Sequence, residues 1–408
     1  MSIRKRAWTA PNGEEKQAWL VDYRDQAGRR RSKQFTRKKD AESWLVNAAY
    51  EVSRGSHNVD SASITVADAT QLWVDKAVSE NLERSTIKQY RELKRLHIDP
   101  LIGKVKLSRL SMPMVERYKD ELVSSRSRAM SSKAVRALSM ALSEAQRLGA
   151  VSQNVARSVK IVTKGRDKQR LEIPTRAQLK ALLGAALPEE SPLIMTVILT
   201  GLRSSEIRGL RWSDIDFKAA TLTVSQRADQ WGVIGPPKSA AGFRTVPIAP
   251  ALSTALKEWK LRAGPSLLDL VFPSENGKAQ WHQNLARRMF IPLQIRAGVS
   301  KPKIGTDGKP WVDKDGQPVM TGLYGLHALR HAAASGWIAQ RIDLKRLQVW
   351  IGHENIELTL QTYGHLLQDT GADAELILKA GADLLAKSMQ HECNTDAETG
   401  SVGSLFKD

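Results

Sequence analysis

Apolar and polar positions alternate through the start of the chain. KQAWLVDYRD reads as a strand, bounded by the turn residues PNG before it and DQAG after it. RRRSKQF reads as a returning basic strand. The apolar period then lengthens. Thr36 can cap a helix over RKKDAESWLVNAAYEV, in which Trp44, Leu45, Ala48 and Val52 share one face. Residues 1–55 are therefore expected to form a small domain, a three-stranded sheet with one helix.

GSHNVDSAS (55–63) is a polar linker. Residues 64–162 carry apolar residues at spacings of three and four almost throughout, and Ser or Thr lies near several of the starts. They predict an all-α domain with helices over TVADATQLWVDKAV, ERSTIKQYRELKRLHIDPLIG, SMPMVERYKDELV and SSKAVRALSMALSEAQRLGAV. A charged second linker, TKGRDKQRLEI, follows.

Residues 172–389 mix both periods and predict an α+β domain. RAQLKALLGAAL and PLIMTVILTGL read as helices. IDFKAATLTVSQ and VIGPPKSAAGFRTVPIA each read as a pair of strands, with Lys238 near the tip of the second hairpin. Further helices are expected at 250–263, 281–297, 327–341, 343–351 and 356–366. GTDGKPWVDKDGQPVM (305–320) repeats an Asp-Gly-x-Pro pattern and reads as an inserted hairpin or long loop. AELILKAGADLLAKSM (374–389) is an amphipathic run fit to pack on its own domain or on a neighbouring protomer. The polar tail 390–408 is expected to be disordered. The fold class is thus mixed and mainly α.

Charge narrows the field. Sixty-two Lys and Arg against forty-three Asp and Glu give +19, a balance that points to a polyanionic partner. The surplus begins early, with thirteen basic and seven acidic residues in the first 54. A sheet face carrying Arg29, Arg30, Arg31 and Lys33 is a candidate DNA-binding surface, and so is a helix face with Lys88, Arg91, Lys94 and Arg95. A single cysteine, Cys393, rules out an internal disulfide framework and a thiolate metal cluster. No run of about 18 apolar residues is present, which argues against a membrane span. No apolar segment follows the basic start MSIRKRAWTA, so no secretory signal is read. A cytoplasmic, nucleoid-associated protein of a bacterium is expected.

Four segments carry candidate chemistry. LTGLRSSEIRGLRWSDID holds Arg203 and, three residues on, Glu206. PPKSAAGFRTVPI holds Lys238. GLHALRHAAASGW places His327, Arg330 and His331 on one helical turn. WIGHENIELTLQTYGHL holds His353 and then Tyr363. Singly each has an ordinary explanation: a surface ion pair, a solvated lysine, a core tyrosine. His327 and His331 have the i, i+4 spacing of a zinc helix, but Ala328 stands where that motif needs Glu, so no metal is expected.

Together, in this order, they resemble the tyrosine recombinases, the phage integrase family. That family carries Arg in TGLR..E, Lys on a hairpin, HxxRH, a GH step, and the tyrosine of TxxxYxH. The upstream segments are similar to its arm-binding and helical core-binding domains. The resemblance implies site-specific cleavage and rejoining of double-stranded DNA through a 3′-phosphotyrosyl link at Tyr363, with integration and excision of a mobile element. It implies that Arg203 and Arg330 clamp the phosphate, that Lys238 protonates the leaving oxygen and that His327 moves the tyrosine proton. His353 would bond a non-bridging oxygen, with Glu206 and His331 supporting and Gly364 letting the chain turn at the tyrosine. No cofactor is implied. The implied partners are core and arm DNA sites, a homotetramer on DNA, a DNA-bending host factor and an excisionase. A type IB-like topoisomerase shares the chemistry, and an inactive DNA-binding regulator would share the shape.

Overall fold

The computed structural model describes residues 1–25, 28–53, 63–161, 172–305 and 308–364. The amphipathic run 374–389 and the tail lie outside them. The chain divides into two compact units, Met1–Gln169 and Arg170–Asp408.

The first unit opens with an antiparallel sheet of β1 (Ser2–Thr9), β2 (Glu15–Arg24) and β3 (Arg30–Phe35), followed by α1 (Lys38–Ser53). Trp44 of α1 packs edge-on against Tyr23 at 5.0 Å and against Phe35 at 5.6 Å, which closes one face of the sheet. Strand alternation splits the basic cluster read from the sequence. Arg31 and Lys33 lie on the helix-covered face, where Arg31 Nε donates to Asp25 at 2.9 Å and the Lys33 ammonium sits 4.8 Å from the Trp44 ring. Arg30 points to the opposite face. There the register adds Arg4, Arg6 and Arg24, and Asp22 pairs with Arg4 at 3.2 Å and Arg30 at 3.8 Å. Arg29 is exposed just before β3.

The helical part comprises α2 (Val66–Ser79), α3 (Arg84–Leu93), α4 (Met112–Ser125) and α5 (Arg128–Arg147). Thr65 and Asp68 close α2 with a capping box. Their core gathers Trp73, Ile98, Val115, Leu122, Leu138 and Leu142. The helix expected over 83–103 does not run on: after Leu93 it widens into a π turn, Lys94–Ile98. The wider turn rotates the following residues, and Lys94 is held by Asp99 at 2.7 Å. Lys88, Arg91 and Arg95 remain exposed.

The second unit starts with α6 (Arg176–Ala185), α7 (Ser191–Thr200) and α8 (Ser204–Gly209). Next come β4 (Ile215–Asp216), β5 (Thr221–Val224), β6 (Arg227–Ala228), β7 (Ile234–Gly235) and β8 (Arg244–Pro247). The second strand pair differs from expectation. β7 pairs back on β6, whereas β8 joins β4 and β5 in a three-stranded sheet. Pro236 and Pro237 supply no N–H, so the ladder cannot continue through them. The hairpin tip is Asp229–Val233, and Lys238 sits exposed on the connection after β7.

The chain continues through α9 (Pro250–Arg262), α10 (His282–Asn284), a π turn at Leu285–Phe290, and α11 (Ile291–Arg296). The inserted segment is a hairpin at its base, β9 (Ser300–Pro302) against β10 (Met320–Gly322). The unit ends with α12 (His327–Ala339), α13 (Leu344–Ile351) and α14 (Ile356–Tyr363). Nearly all of α7 is apolar, and it lies in the core with Leu182, Ile207, Leu222, Leu252 and Leu329 around it. Among the described residues no helix is long and apolar enough to cross a membrane.

Candidate active site

The site is built on the end of α13. Asp343 caps its start by accepting from Lys345 N at 2.8 Å and Arg346 N at 3.1 Å. Gly352, at φ +67°, ends it. The turn satisfies the Gln348 and Val349 carbonyls through the Gly352 and His353 N–H groups. The next three carbonyls point outward at the negative end of the helix dipole. Each is taken by an arginine from elsewhere in the chain. Arg244 Nε donates to Trp350 O at 2.7 Å, an Arg330 Nη donates to Ile351 O, and Arg203 Nη2 donates to Gly352 O at 2.8 Å.

These arginines are fixed from behind as well. Arg330, on the first turn of α12, also donates to Gly201 O at 2.7 Å, the carbonyl that ends α7. Gly201 is left-handed at φ +62°, and a Cβ there would meet Ile351 and Trp337 at 3.2 Å. Glu206, 3% exposed, collects the other two. Its Oε1 accepts from Arg203 Nη1 at 2.8 Å and Arg244 Nη1 at 3.1 Å. Its Oε2 accepts from the Arg203 backbone N at 2.8 Å and Arg244 Nη2 at 2.7 Å. Burial alone would raise the Glu206 carboxyl, but the Arg244 bond and charge, then Arg203 and Arg330, hold it at about 2. Burial, then the neighbouring Arg203, lowers Arg330, although a guanidinium stays protonated at neutral pH. The Arg203 side chain is 35% exposed, and its guanidinium has N–H donors beyond the two that Glu206 and Gly352 O engage.

Tyr363 is the last residue of α14, a helix started by Asn355, which accepts from Leu358 N at 2.9 Å. It is 1% exposed and packs with Ala334, Ile338, Leu347 and Ile351. Its hydroxyl lies 2.8 Å from His331 Nδ1. The His353 ring runs nearly parallel to the phenol at 6.3 Å, and its Nδ1 meets Thr359 Oγ1 at 2.9 Å. Burial pushes the phenol up to about 12, against the pull of Arg330 and Arg203. Burial, then Arg330 and Arg203, pushes His353 down to about 4. His331 is lowered by burial and by Arg330. His327 is the outermost, its ring edge-on to His331 at 4.7 Å, and burial, then His331 and Arg330, lowers it too. All three imidazoles are uncharged at neutral pH.

The structure thus gathers Arg203, Glu206, His327, Arg330, His331, His353 and Tyr363, with Lys238 exposed beside β7. Two details differ from the sequence reading. His331, not His327, touches the tyrosine hydroxyl. Gly364 has ordinary helical angles (φ −57°, ψ −30°), so the turn at Tyr363 needs no glycine. Arg244 was missed. The strand alternation held the signal: in RTVPI it shares a face with Val246, an inward position where a cation needs partners. Among the described residues no three His, Cys, Asp or Glu side chains converge as a metal site.

Residues 172–369 match the model of the phage integrase family. A tyrosine recombinase XerC-like protein of Caldanaerobacter subterraneus subsp. tengcongensis is 27% identical over 383 residues, 84% of this chain and 90% of that one. Residues 172–369 thus belong to the phage integrase family of tyrosine recombinases. An integrase of Streptomyces ambofaciens is 23% identical, over 86% of the recombinase described here and 90% of its own length. The fold is shared with solved relatives. The Tn1549 transposon integrase in complex with a circular intermediate DNA is 21% identical with a TM-score of 0.63, covering 78% of this recombinase and all of that chain. The lambda integrase tetramer bound to a Holliday junction is 16% identical with a TM-score of 0.54, over 86% and 95% of the two chains.

Proposed function

We propose that this recombinase cuts and rejoins double-stranded DNA by transesterification at Tyr363. The observation that carries the reading is the position of the Tyr363 hydroxyl, on an uncharged imidazole and within electrostatic reach of Arg203 and Arg330. The phenolic oxygen attacks the scissile phosphorus, its proton passes to His331 Nδ1, and the bond to the 5′-oxygen breaks. Lys238, on a connection between two short strands, donates the proton that the leaving 5′-oxygen needs. A 3′-phosphotyrosyl link results, and it conserves the bond energy for rejoining without ATP. Arg203 and Arg330 neutralise the charge that builds on the non-bridging oxygens, with His353 and His327 as further donors. This role for His331 replaces the support role expected from sequence, and His327 moves to the phosphate side.

The substrate is the DNA of a mobile genetic element, which the protein integrates and excises. The open basic face of the N-terminal sheet supports arm-site binding, and the helical domain supports core-site binding. The relatives solved on DNA, one of them a tetramer on a Holliday junction, support a tetrameric assembly. A DNA-bending host factor and an excisionase complete the proposed partners, in a bacterial cytoplasm at the nucleoid. Tyr363→Phe tests the chemistry: the variant should bind attachment-site DNA as the parent does and yield no SDS-stable protein–DNA adduct. An adduct formed by that variant refutes the assignment.

A further inference from the structure

Arg244 has no place in the chemistry just described, yet it is one of the most heavily tied side chains of the catalytic unit. Its side chain is 1% exposed, and its Nε, Nη1 and Nη2 all donate to groups of the protein itself. It spans Glu206 with both Nη atoms and reaches Trp350 O with Nε, and Nη1 also donates to Gly242 O at 3.1 Å. Room for it depends on Gly352, where a Cβ would come within 2.9 Å of Arg244 Nη1.

Glu206 is the carboxylate that Arg203 must share. Each of its oxygens serves one donor of Arg203 and one of Arg244. With Arg244 in place, only one N–H of the Arg203 guanidinium goes to Glu206 and one to Gly352 O, which leaves its other donors for substrate. Without Arg244, the carboxylate loses its buried counter-charge. It can then turn to grip Arg203 with both oxygens, the geometry that carboxylates and guanidinium groups favour. Arg203 would be drawn inward, away from any phosphate.

We infer that Arg244 is a positioning residue, which occupies Glu206 so that Arg203 stays aimed at the scissile phosphate. This rests on the cleavage reading above. A lysine cannot substitute, because Arg244 reaches Trp350 O and the two Glu206 oxygens from three separate nitrogens, and one ammonium nitrogen cannot stand in all three places. The bond to Gly242 O allows a competing role, that of holding the connection that carries Lys238.

Single-turnover cleavage by the full chain separates these roles. Arg244→Lys and Arg244→Gln are compared with the parent on three duplexes differing only at the scissile position: a phosphodiester, a methylphosphonate and a 5′-bridging phosphorothiolate. The methylphosphonate removes the charge that Arg203 clamps, and the sulfur leaves without a proton. On the phosphodiester the variants should cleave about 100-fold more slowly, the scale of a small misplacement at a reacting centre, with DNA affinity unchanged. On the methylphosphonate the gap to the parent should shrink to a few-fold. A gap of equal size on all three substrates, or no gap at all, overturns the inference. So does a gap that closes only on the phosphorothiolate, because it assigns Arg244 to Lys238. Should neither variant fold, Glu206→Gln, which keeps the shape but loosens the fork, must show the same methylphosphonate pattern. A parent protein that forms no adduct on any duplex fails the cleavage reading itself and not this one.

Discussion

His331 Nδ1 and the Tyr363 hydroxyl stand 2.8 Å apart, and they come from helices joined by α13. The pair puts the proposed nucleophile and its proton acceptor in contact before DNA arrives. His331 has a pKa below the ordinary imidazole value, so it is unprotonated, and able to accept, at neutral pH. Adduct formation should therefore be flat across pH 7 to 8. It should fall only once pH drops below about 6.5, the unperturbed histidine value, and approaches the depressed pKa. Rates from quenched-flow cleavage at graded pH check this. In His331→Gln the rate should drop about 100-fold and lose this acidic limb. An unchanged limb in that variant would assign the titration to another group.

Glu206→Ala should be the most destabilising substitution in the site. It leaves Arg244 buried with no carboxylate and removes one seat of Arg203. Removing one partner from a buried pair costs about 3–5 kcal/mol. Urea unfolding monitored by tryptophan fluorescence should show that loss. A cost under about 1 kcal/mol, typical of an exposed pair, would mean that the network is far looser than its geometry.

Gly352→Ala should reduce both stability and cleavage. The left-handed backbone costs a residue with a Cβ about 1–2 kcal/mol. The added methyl would also crowd Arg244 Nη1 at 2.9 Å and Ala241 O at 3.0 Å. Gly364→Ala, in a right-handed helical conformation with nothing within 4 Å of the new Cβ, should be tolerated. Thermal melts and adduct yields of the two variants, run side by side, give the contrast.

Cleavage should continue in EDTA. In the proposed reaction guanidinium and ammonium groups hold the charge that divalent ions hold in other phosphoryl transfers. Adduct yield on a suicide duplex with and without chelator decides the matter, and an absolute requirement for a divalent ion would contradict the scheme.

A chain starting near residue 60 should still cleave core DNA but lose integration on DNA that also carries arm sites. Within the removed sheet, Arg4→Ala with Arg30→Ala should weaken arm binding and flatten its salt dependence. Arg31→Ala, which touches Asp25 on the helix side, should act mainly on stability. Arm-site titrations at several salt concentrations distinguish the two faces.

Much of this was legible in the sequence because helix periods and short catalytic motifs are local. The boundaries of α9, α12 and α13 follow from apolar spacing, and the family was readable from TGLR, HALRH and the Tyr363 segment. What escaped depended on long-range geometry. Strand partners cannot be deduced from alternation, so β8 was matched with β7 when its hydrogen bonds go to β5. The π turn after Leu93 leaves no mark in an apolar pattern. Which of two histidines one turn apart meets the tyrosine is set by how α14 docks on α12. Arg244 looked like a strand residue among others because its partners lie 38 and 106 positions away.

The three arginines seated on the end of α13 have a bearing on how the protein is made. Two of these seats join positions 149 and 106 residues apart, so each arginine is made well before the carbonyl that receives it. A chain cut short before residue 350 lacks these three carbonyls, so its arginines keep only their seats on Glu206, Gly201 O and Gly242 O. Under the proposed reaction such a fragment, which also lacks Tyr363, neither holds a phosphate in place nor nicks DNA.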